Sequence, residues 1–394
     1  MKITIGLFFG GKSTEHEVSI ITGLQAFAAL DRVKYDCVPI YISKQNEFYI
    51  GDSVGKIEDY ADIPALLKRS RKVAILNLDN RVGLYEITPK KIDVRKPAAF
   101  LDVALPCVHG TNVEDGVLQG FFETLRLPYA GCDVVSSAVG MDKFAQKSIL
   151  KQAGISVLDC VAFTSKEYMN NRESLLAEID GQSEFPVIVK PNNLGSSIGI
   201  KIAADKSELA DAIEHALLFA DCVLVEPAIV NLKEVNCAVL GDKDSAEPSE
   251  CEEPVSSGGI LDFNDKYTNG NKSGKNDGMA SLKRKIPADI SESQREEIRA
   301  TAVKAFRALG CAGVARIDFL IDTQSGGIYF NEINTIPGSL SFYLWDAVGV
   351  KYPELLDRLV SLALKREREK ANLNFSFDSS ILSGFQKGMK SAKT

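Results

Sequence analysis

The first 43 residues constrain the fold more than any other stretch. Residues 3–11, ITIGLFFGG, are an apolar run closed by glycines, and residues 35–43, YDCVPIYIS, are a second mostly apolar run. Between them, residues 13–31 carry a helical pattern with acids in the first turn and Ser13 or Thr14 placed to cap it. A continuous apolar run predicts a strand buried on both faces, and strand, helix and strand at this spacing predict a βαβ unit. Residues 45–97 are less regular and predict short strands with a polar helix near 62–71. Residues 98–110 resume the sheet and residues 116–127 form a further helix, so the expected first domain is an open parallel sheet over residues 1–131.

The rest of the chain divides into two further α+β units, which makes the fold class α/β. A chain of 394 residues exceeds what one simple core organises. In residues 132–226 the pattern predicts a helix at 142–155, a strand–loop–strand at 183–203, a helix at 206–220 and a strand at 222–230. In residues 227–368 it predicts strands at 234–242, 313–322 and 326–334, a helix at 291–311 and a closing helix at 352–369. Residues 262–278 are rich in Asn, Gly, Lys and Asp and are expected to form a mobile loop, with residues 369–394 as a weakly ordered tail.

Composition narrows the chemistry. The net charge of -7 argues against a general nucleic-acid binder, and no apolar run reaches the 18 residues that would suggest a membrane span. The eight cysteines lack a C-x-x-C pair and there are only three histidines, so a zinc site is not expected. Scattered, reduced cysteines fit a cytoplasmic protein.

The strongest local signal is RIDFL followed by YFNEINTIPG. Asp318, Glu332 and Asn334 interrupt apolar strands, where an acid is costly unless a cation meets it. Hard oxygen ligands without His or Cys suit Mg²⁺ held together with phosphate, while an exposed polar face on an edge strand is the plainer alternative. Lys143, Lys190 and Lys266 supply positive charge, each of which alone reads as a solvated lysine. The loop Gly195-Ser196-Ser197-Ile198-Gly199 lets backbone N–H groups approach phosphate oxygens, or is a plain flexible turn. Together these groups suggest a nucleoside triphosphate. Residues 6–13, GLFFGGKS, match the string G-x-x-x-x-G-K-S, but its first glycine lies inside the apolar run 3–11 and not in a loop after it, so no P-loop is read there, and no G-x-G-x-x-G follows the first strand.

The order of these segments resembles the D-alanine–D-alanine ligases of the ATP-grasp superfamily over about residues 1–368. It rests on GGKSTEHEVS, LPCVHG with EDGVLQG, LPYAG with SSAVGMDK, VIVKP with GSSIG, DFNDKY, and ARIDF with NEINTIPG. The resemblance implies a first substrate domain and two ATP-grasp subdomains that hold ATP between them, with 262–278 as a lid. It implies that Lys143, Lys190 and Lys266 contact phosphates while Gly195 and Ser197 cover them. Glu226 would meet the adenine edge and Glu234 the ribose. Asp318, Glu332 and Asn334 would hold two Mg²⁺, for which Mn²⁺ can substitute. Arg316 and the N–H of Gly338 would stabilise the oxyanion of a tetrahedral intermediate. Glu15 would anchor the ammonium of the first D-alanine, helped by Val18 and His109, and Glu15, Ser196 and Tyr267 would tie the lid to the site. Read from the residues alone, Glu15 is a first-turn helix acid and His109 is either a ligand contact or a satisfied core histidine. The expected partners are D-alanine and ATP, with no nucleic acid, no membrane and a homodimer formed through the first domain.

The sequence departs from the family pattern after NTIPG. Tyr343, followed by Leu344, stands where a serine that holds the second D-alanine's carboxylate is expected, with Ser339, Ser341 or the Tyr343 hydroxyl itself as the candidate replacements. Three activities follow as expectations: an ATP-dependent ligase making D-alanyl-D-alanine for peptidoglycan, the same mechanism with another acceptor such as D-serine, and a non-catalytic nucleotide-binding relative. Product identification separates the first two, and ATP binding without amino-acid-dependent turnover would mark the third.

Overall fold

The computed structural model describes residues 2–88, 91–92, 94–195, 197–255 and 284–375, which form three sheets. The first contains the expected βαβ unit: strand Ile3–Gly10, helix His16–Ala29 and strand Tyr35–Ile42. Ile3–Gly10 pairs in parallel with Tyr35–Ile42 on one side and Val103–Pro106 on the other. Beyond this centre the sheet is antiparallel. Phe48–Ile50, Arg71–Leu78 and Arg81–Thr88 extend it as a meander, and Ala99–Leu101 pairs back onto Arg81–Thr88. The run at 98–110 is therefore two strands rather than one. Asp102 breaks it, its carboxylate accepting from Thr4 N at 2.8 Å.

The helix cap also differs from expectation. Glu15 occupies the cap position of His16–Ala29, without a side-chain cap bond. Ser13 instead donates to His109 O at 2.7 Å and accepts from Glu15 N at 3.2 Å. The hydroxyl that looked like a cap is used to fasten two loops together.

The second sheet is antiparallel, in the order Lys201–Ala203, Val187–Pro191, Cys222–Pro227, Val161–Thr164. Helices Ser165–Gln182 and Lys206–Ala216 bury Ile179, Leu209 and Ile213 against it. The third sheet runs Arg284–Lys285, Ala246–Pro254, Leu232–Gly241, Gly313–Asp322, Ile328–Asn334, also antiparallel. Helix Glu292–Ala308 covers it with Ile298, Ala302 and Phe306.

The last helix, Tyr352–Lys370, returns to the first core. Leu355, Leu356, Leu359 and Val360 are buried there beside Ile5, Leu7 and Phe8, each contributing about 1.5–3 kcal/mol of apolar burial. Ile336, Leu340, Leu344 and Trp345 join the same cluster. The turn that leaves the third sheet is thus clamped onto the first sheet, and this brings the far ends of the sequence into one site.

Candidate active site

A cavity of about 600 Å³ lies between the second and third sheets. Its lining includes Lys143, Lys190, Ser197, Glu226, Glu234, Asp318 and Glu332, together with apolar Ile188, Ile202 and Leu320. Apolar walls with a few charged groups suit a flat heterocycle carrying an anionic tail.

Glu226 lies at the base of one wall and is fully buried. Lys190 Nζ donates to one carboxylate oxygen, and Lys147 Nζ lies 2.7 Å from the other. Burial alone pushes this carboxyl up, but the two ammonium groups outweigh it and hold Glu226 ionised. Lys190 also donates to Asn331 Oδ1 at 3.1 Å. Neither Lys147 nor Asn331 was expected from the sequence. Lys147 lies four residues after Lys143 on helix Lys143–Gln152, a spacing that places both on one face and could have revealed it.

Lys143 joins the two sheets. Its Nζ donates to Leu194 O at 2.6 Å and lies 3.3 Å from Glu332 Oε2. Asn192 holds the start of this helix, its side chain accepting from Phe144 N at 2.9 Å. The loop that follows links two antiparallel strands and sits over the cavity. Ser197 is left-handed there (φ 59°), and Gly199 (φ 74°) has no room for a side chain, since a Cβ would lie 2.8 Å from Phe219 and 2.9 Å from Pro191.

The acids of the third sheet meet as strand register requires. Asp318 pairs with Glu332 and Arg316 with Asn334 across the two strands. Arg316 grips Asp318 in a two-pronged ion pair, both contacts at 2.7 Å, and Asn334 Nδ2 donates to Asp318 Oδ2 at 3.1 Å. Among the described residues no group of three or more His, Cys, Asp or Glu forms a complete metal cage. Two carboxylates and an amide oxygen beside a lysine-lined cavity do fit Mg²⁺, which characteristically takes one or two carboxylates and completes its shell with phosphate and water.

The first sheet supplies the other side. Glu15 Oε2 would be 3.0 Å from a Cβ at Gly110 and 3.6 Å from one at Gly195, so this carboxylate sits beside the Gly-Ser loop. Val18 is buried yet belongs to none of the three cores. His109 has both ring nitrogens occupied: Nδ1 contacts Ile336 O at 2.8 Å and Nε2 contacts Thr22 Oγ1 at 2.9 Å. Because Ile336 O can only accept, Nδ1 carries the proton and Thr22 donates to Nε2. Thr22 Oγ1 in turn accepts from Ser339 N at 3.0 Å. Burial lowers the His109 pKa to about 4, so the ring is neutral and has no nitrogen left for a substrate in this arrangement.

Glu114, which sequence reading treated only as part of a motif, fastens the same turn. Its carboxylate accepts from Ile336 N at 2.9 Å and Gly110 N at 3.0 Å. Burial and the charge of Glu15 push it up to about 8. Gly338 opens the turn, and Ser339, Leu340 and Ser341 are all left-handed, at φ 54°, 50° and 50°. Such backbone costs about 1–3 kcal/mol per residue and persists only where its surroundings enforce it. The Leu344 side chain is fully buried in the first core. Tyr343 lies at the edge of that core, and its hydroxyl donates to Glu252 at 3.2 Å. Ser196, Lys266, Tyr267 and the 262–278 loop lie outside the described residues.

Comparison with known proteins agrees with this architecture. A family profile described as D-ala D-ala ligase N-terminus matches residues 4–132, and one described as D-ala D-ala ligase C-terminus matches residues 149–361. The D-alanine–D-alanine ligase of Thermosipho melanesiensis is 38% identical over 382 residues, covering 96% of this chain and 98% of the relative. The solved structure of the VanG D-Ala:D-Ser ligase from Enterococcus faecalis superposes with a TM-score of 0.76 at 33% identity, covering 92% of this chain and 100% of that one. A D-alanine–D-alanine ligase from Bacillus anthracis, complexed with ATP, gives 0.64 at 26% identity and covers 93% of this chain and 99% of that one. With both profiles matched in order and near-complete coverage of its relatives, this chain belongs to the D-alanine–D-alanine ligase family.

Proposed function

We propose that the protein joins two D-alanines into D-alanyl-D-alanine, converting ATP to ADP and phosphate. The observation that carries this reading is the junction of the lysine-lined cavity with the Arg316–Asp318–Glu332–Asn334 cluster, beside Glu15 of the first sheet. In this reading residues 1–131 form a substrate domain, and 132–226 and 227–368 form the two halves of the nucleotide clamp.

ATP lies in the cavity with its base between the apolar walls. Glu226 accepts from the exocyclic amine, Glu234 takes the ribose hydroxyls, and Lys143 and Lys190 meet the phosphates beneath Gly195 and Ser197. Asp318, Glu332 and Asn334 would hold Mg²⁺, which neutralises charge on the transferring phosphate. Glu15 anchors the ammonium of the first D-alanine, with Val18 beside it. The carboxylate of that D-alanine takes the γ-phosphoryl group from ATP and ADP leaves. The deprotonated amine of the second D-alanine then attacks the acyl carbon, and phosphate departs from the tetrahedral adduct. Arg316 and Gly338 N–H stabilise the oxygen that becomes negative. His109 acts by fixing the Ile336–Ser339 turn, which positions Gly338.

The same mechanism with D-serine as acceptor is the second reading, favoured by Tyr343 at the expected serine position. The decisive assay incubates the protein with ATP, Mg²⁺ and D-alanine, alone and then with D-serine, and identifies products by mass. Phosphate release with D-alanyl-D-alanine supports the first reading. A mixed dipeptide as the main product replaces it with the second, and ATP turnover without any dipeptide contradicts both.

A further inference from the structure

Beyond the metal-side end of the cavity lies a buried polar cluster that the reaction as described does not use. Glu252 is 2% exposed and accepts from Arg284 Nη1 at 2.6 Å, Asn236 Nδ2 at 3.1 Å and the Tyr343 hydroxyl at 3.2 Å. The Arg284 guanidinium lies over the Tyr343 ring, 3.9 Å from its centroid, and its side chain is 9% exposed. The cluster is continuous with the reacting end of the site, because Asn236 lines the main cavity and pairs across the sheet with Asp318.

An ion pair buried this deeply gains little stability by itself, since desolvation cancels most of its attraction. What the arrangement does provide is a guanidinium plane fixed by an aromatic face and a carboxylate, a geometry suited to two-pronged recognition of another carboxylate. A second observation points to a ligand. The Ser339 and Ser341 hydroxyls, on the strained turn just before Tyr343, are buried and have no hydrogen-bond partner among the described residues. Buried polar atoms left this way are costly unless something bound completes them.

We propose that Arg284, oriented by Glu252 and Tyr343, recognises the carboxylate of the acceptor amino acid. This assigns the task otherwise expected of a serine at position 343 to a residue nearly sixty positions earlier. The inference rests on the ligase reading above. In that reaction the acceptor's amine forms the new bond and its carboxylate stays unreacted, so the carboxylate is available as a handle.

The test is a competition. D-alanine and D-alaninamide are mixed with ATP and Mg²⁺. The amide cannot be phosphorylated and can serve only as an acceptor, so the ratio of D-alanyl-D-alanine to D-alanyl-D-alaninamide reports recognition of the acceptor carboxylate. Because it is a ratio within one reaction, it does not depend on how much enzyme is folded. The wild-type protein should favour the acid. Arg284→Met should lower the ratio about tenfold while leaving KM for ATP unchanged, and Tyr343→Phe should lower it by a few-fold. Arg284→Lys, which keeps the charge without the fork, should fall between and serves if the Met variant does not fold. An unchanged ratio in the Arg284 variants would overturn the proposal while leaving the ligase reading intact. Formation of neither dipeptide by wild-type protein would instead overturn the D-alanine reading, and this proposal with it.

Discussion

Around Glu226 every buried charge is met by an opposite charge, whereas around His109 and Glu114 the protein buries titratable groups whose ionised forms it disfavours. The first region faces the cavity, where a polyanion can exchange with the existing partners of the lysines. The second lies behind the Ile336–Ser339 turn, where only backbone needs holding. In the proposed reading ionic groups serve where a charged ligand arrives, and directional hydrogen bonds serve where a strained turn must keep its shape.

The contrast is broken most severely at Lys147. Lys147→Met leaves one oxygen of a fully buried carboxylate without its cation, and about 3–5 kcal/mol of stability should be lost. Chemical denaturation measures this, and a midpoint within error of wild type would show that Glu226 does not depend on the pair. Next in size, Arg316→Ala should reduce kcat by about 10²–10³ if it stabilises the oxyanion, with ATP binding by calorimetry largely kept. Unchanged turnover would remove Arg316 from the chemistry.

The neutral region is probed by pH. His109 has a lowered pKa, so its contribution to stability is present above about pH 6.5 and is lost as pH falls toward about 4, by about 3 kcal/mol at most. Glu114 has a raised pKa, so its contribution is present below about pH 4.5 and is lost as pH rises toward about 8. The two oppose each other between 4.5 and 6.5, and above 6.5 stability should fall. His109→Gln leaves only the Glu114 arm, so its denaturation midpoint should decline throughout that range. Parallel wild-type and variant profiles would contradict the neutral histidine. The smallest effect is expected at Thr22→Val, which strands Ser339 N–H and His109 Nε2 and should cost about 1–3 kcal/mol. A neutral result there would mean that the Thr22 link does not hold the turn.

The two regions also differ in how visible they are in the sequence. Asp318, Glu332 and Asn334 are conspicuous because they interrupt apolar strands, and their pairing follows from strand register. The βαβ start is equally plain, since its burial pattern is local. The antiparallel wing of the first sheet is not, because short strands with mixed faces leave little periodicity. Nor is the link from Thr22 to Ser339, which joins residues 317 positions apart through one hydroxyl. The burial of Leu344 is equally hard to read, since its side chain belongs to a core that the returning last helix completes.

The central claim is that the carboxylate of one D-alanine is phosphorylated at the Arg316–Asp318 end of the cavity before the second amine attacks. It is tested most directly with D-alanine carrying ¹⁸O in both carboxylate oxygens, with the released phosphate analysed by mass spectrometry. The account predicts one ¹⁸O in the phosphate for each dipeptide formed, because the oxygen that attacks the γ-phosphorus leaves with it. Unlabelled phosphate accompanying dipeptide formation would show that the carboxylate never takes up the phosphoryl group, and would contradict the mechanism.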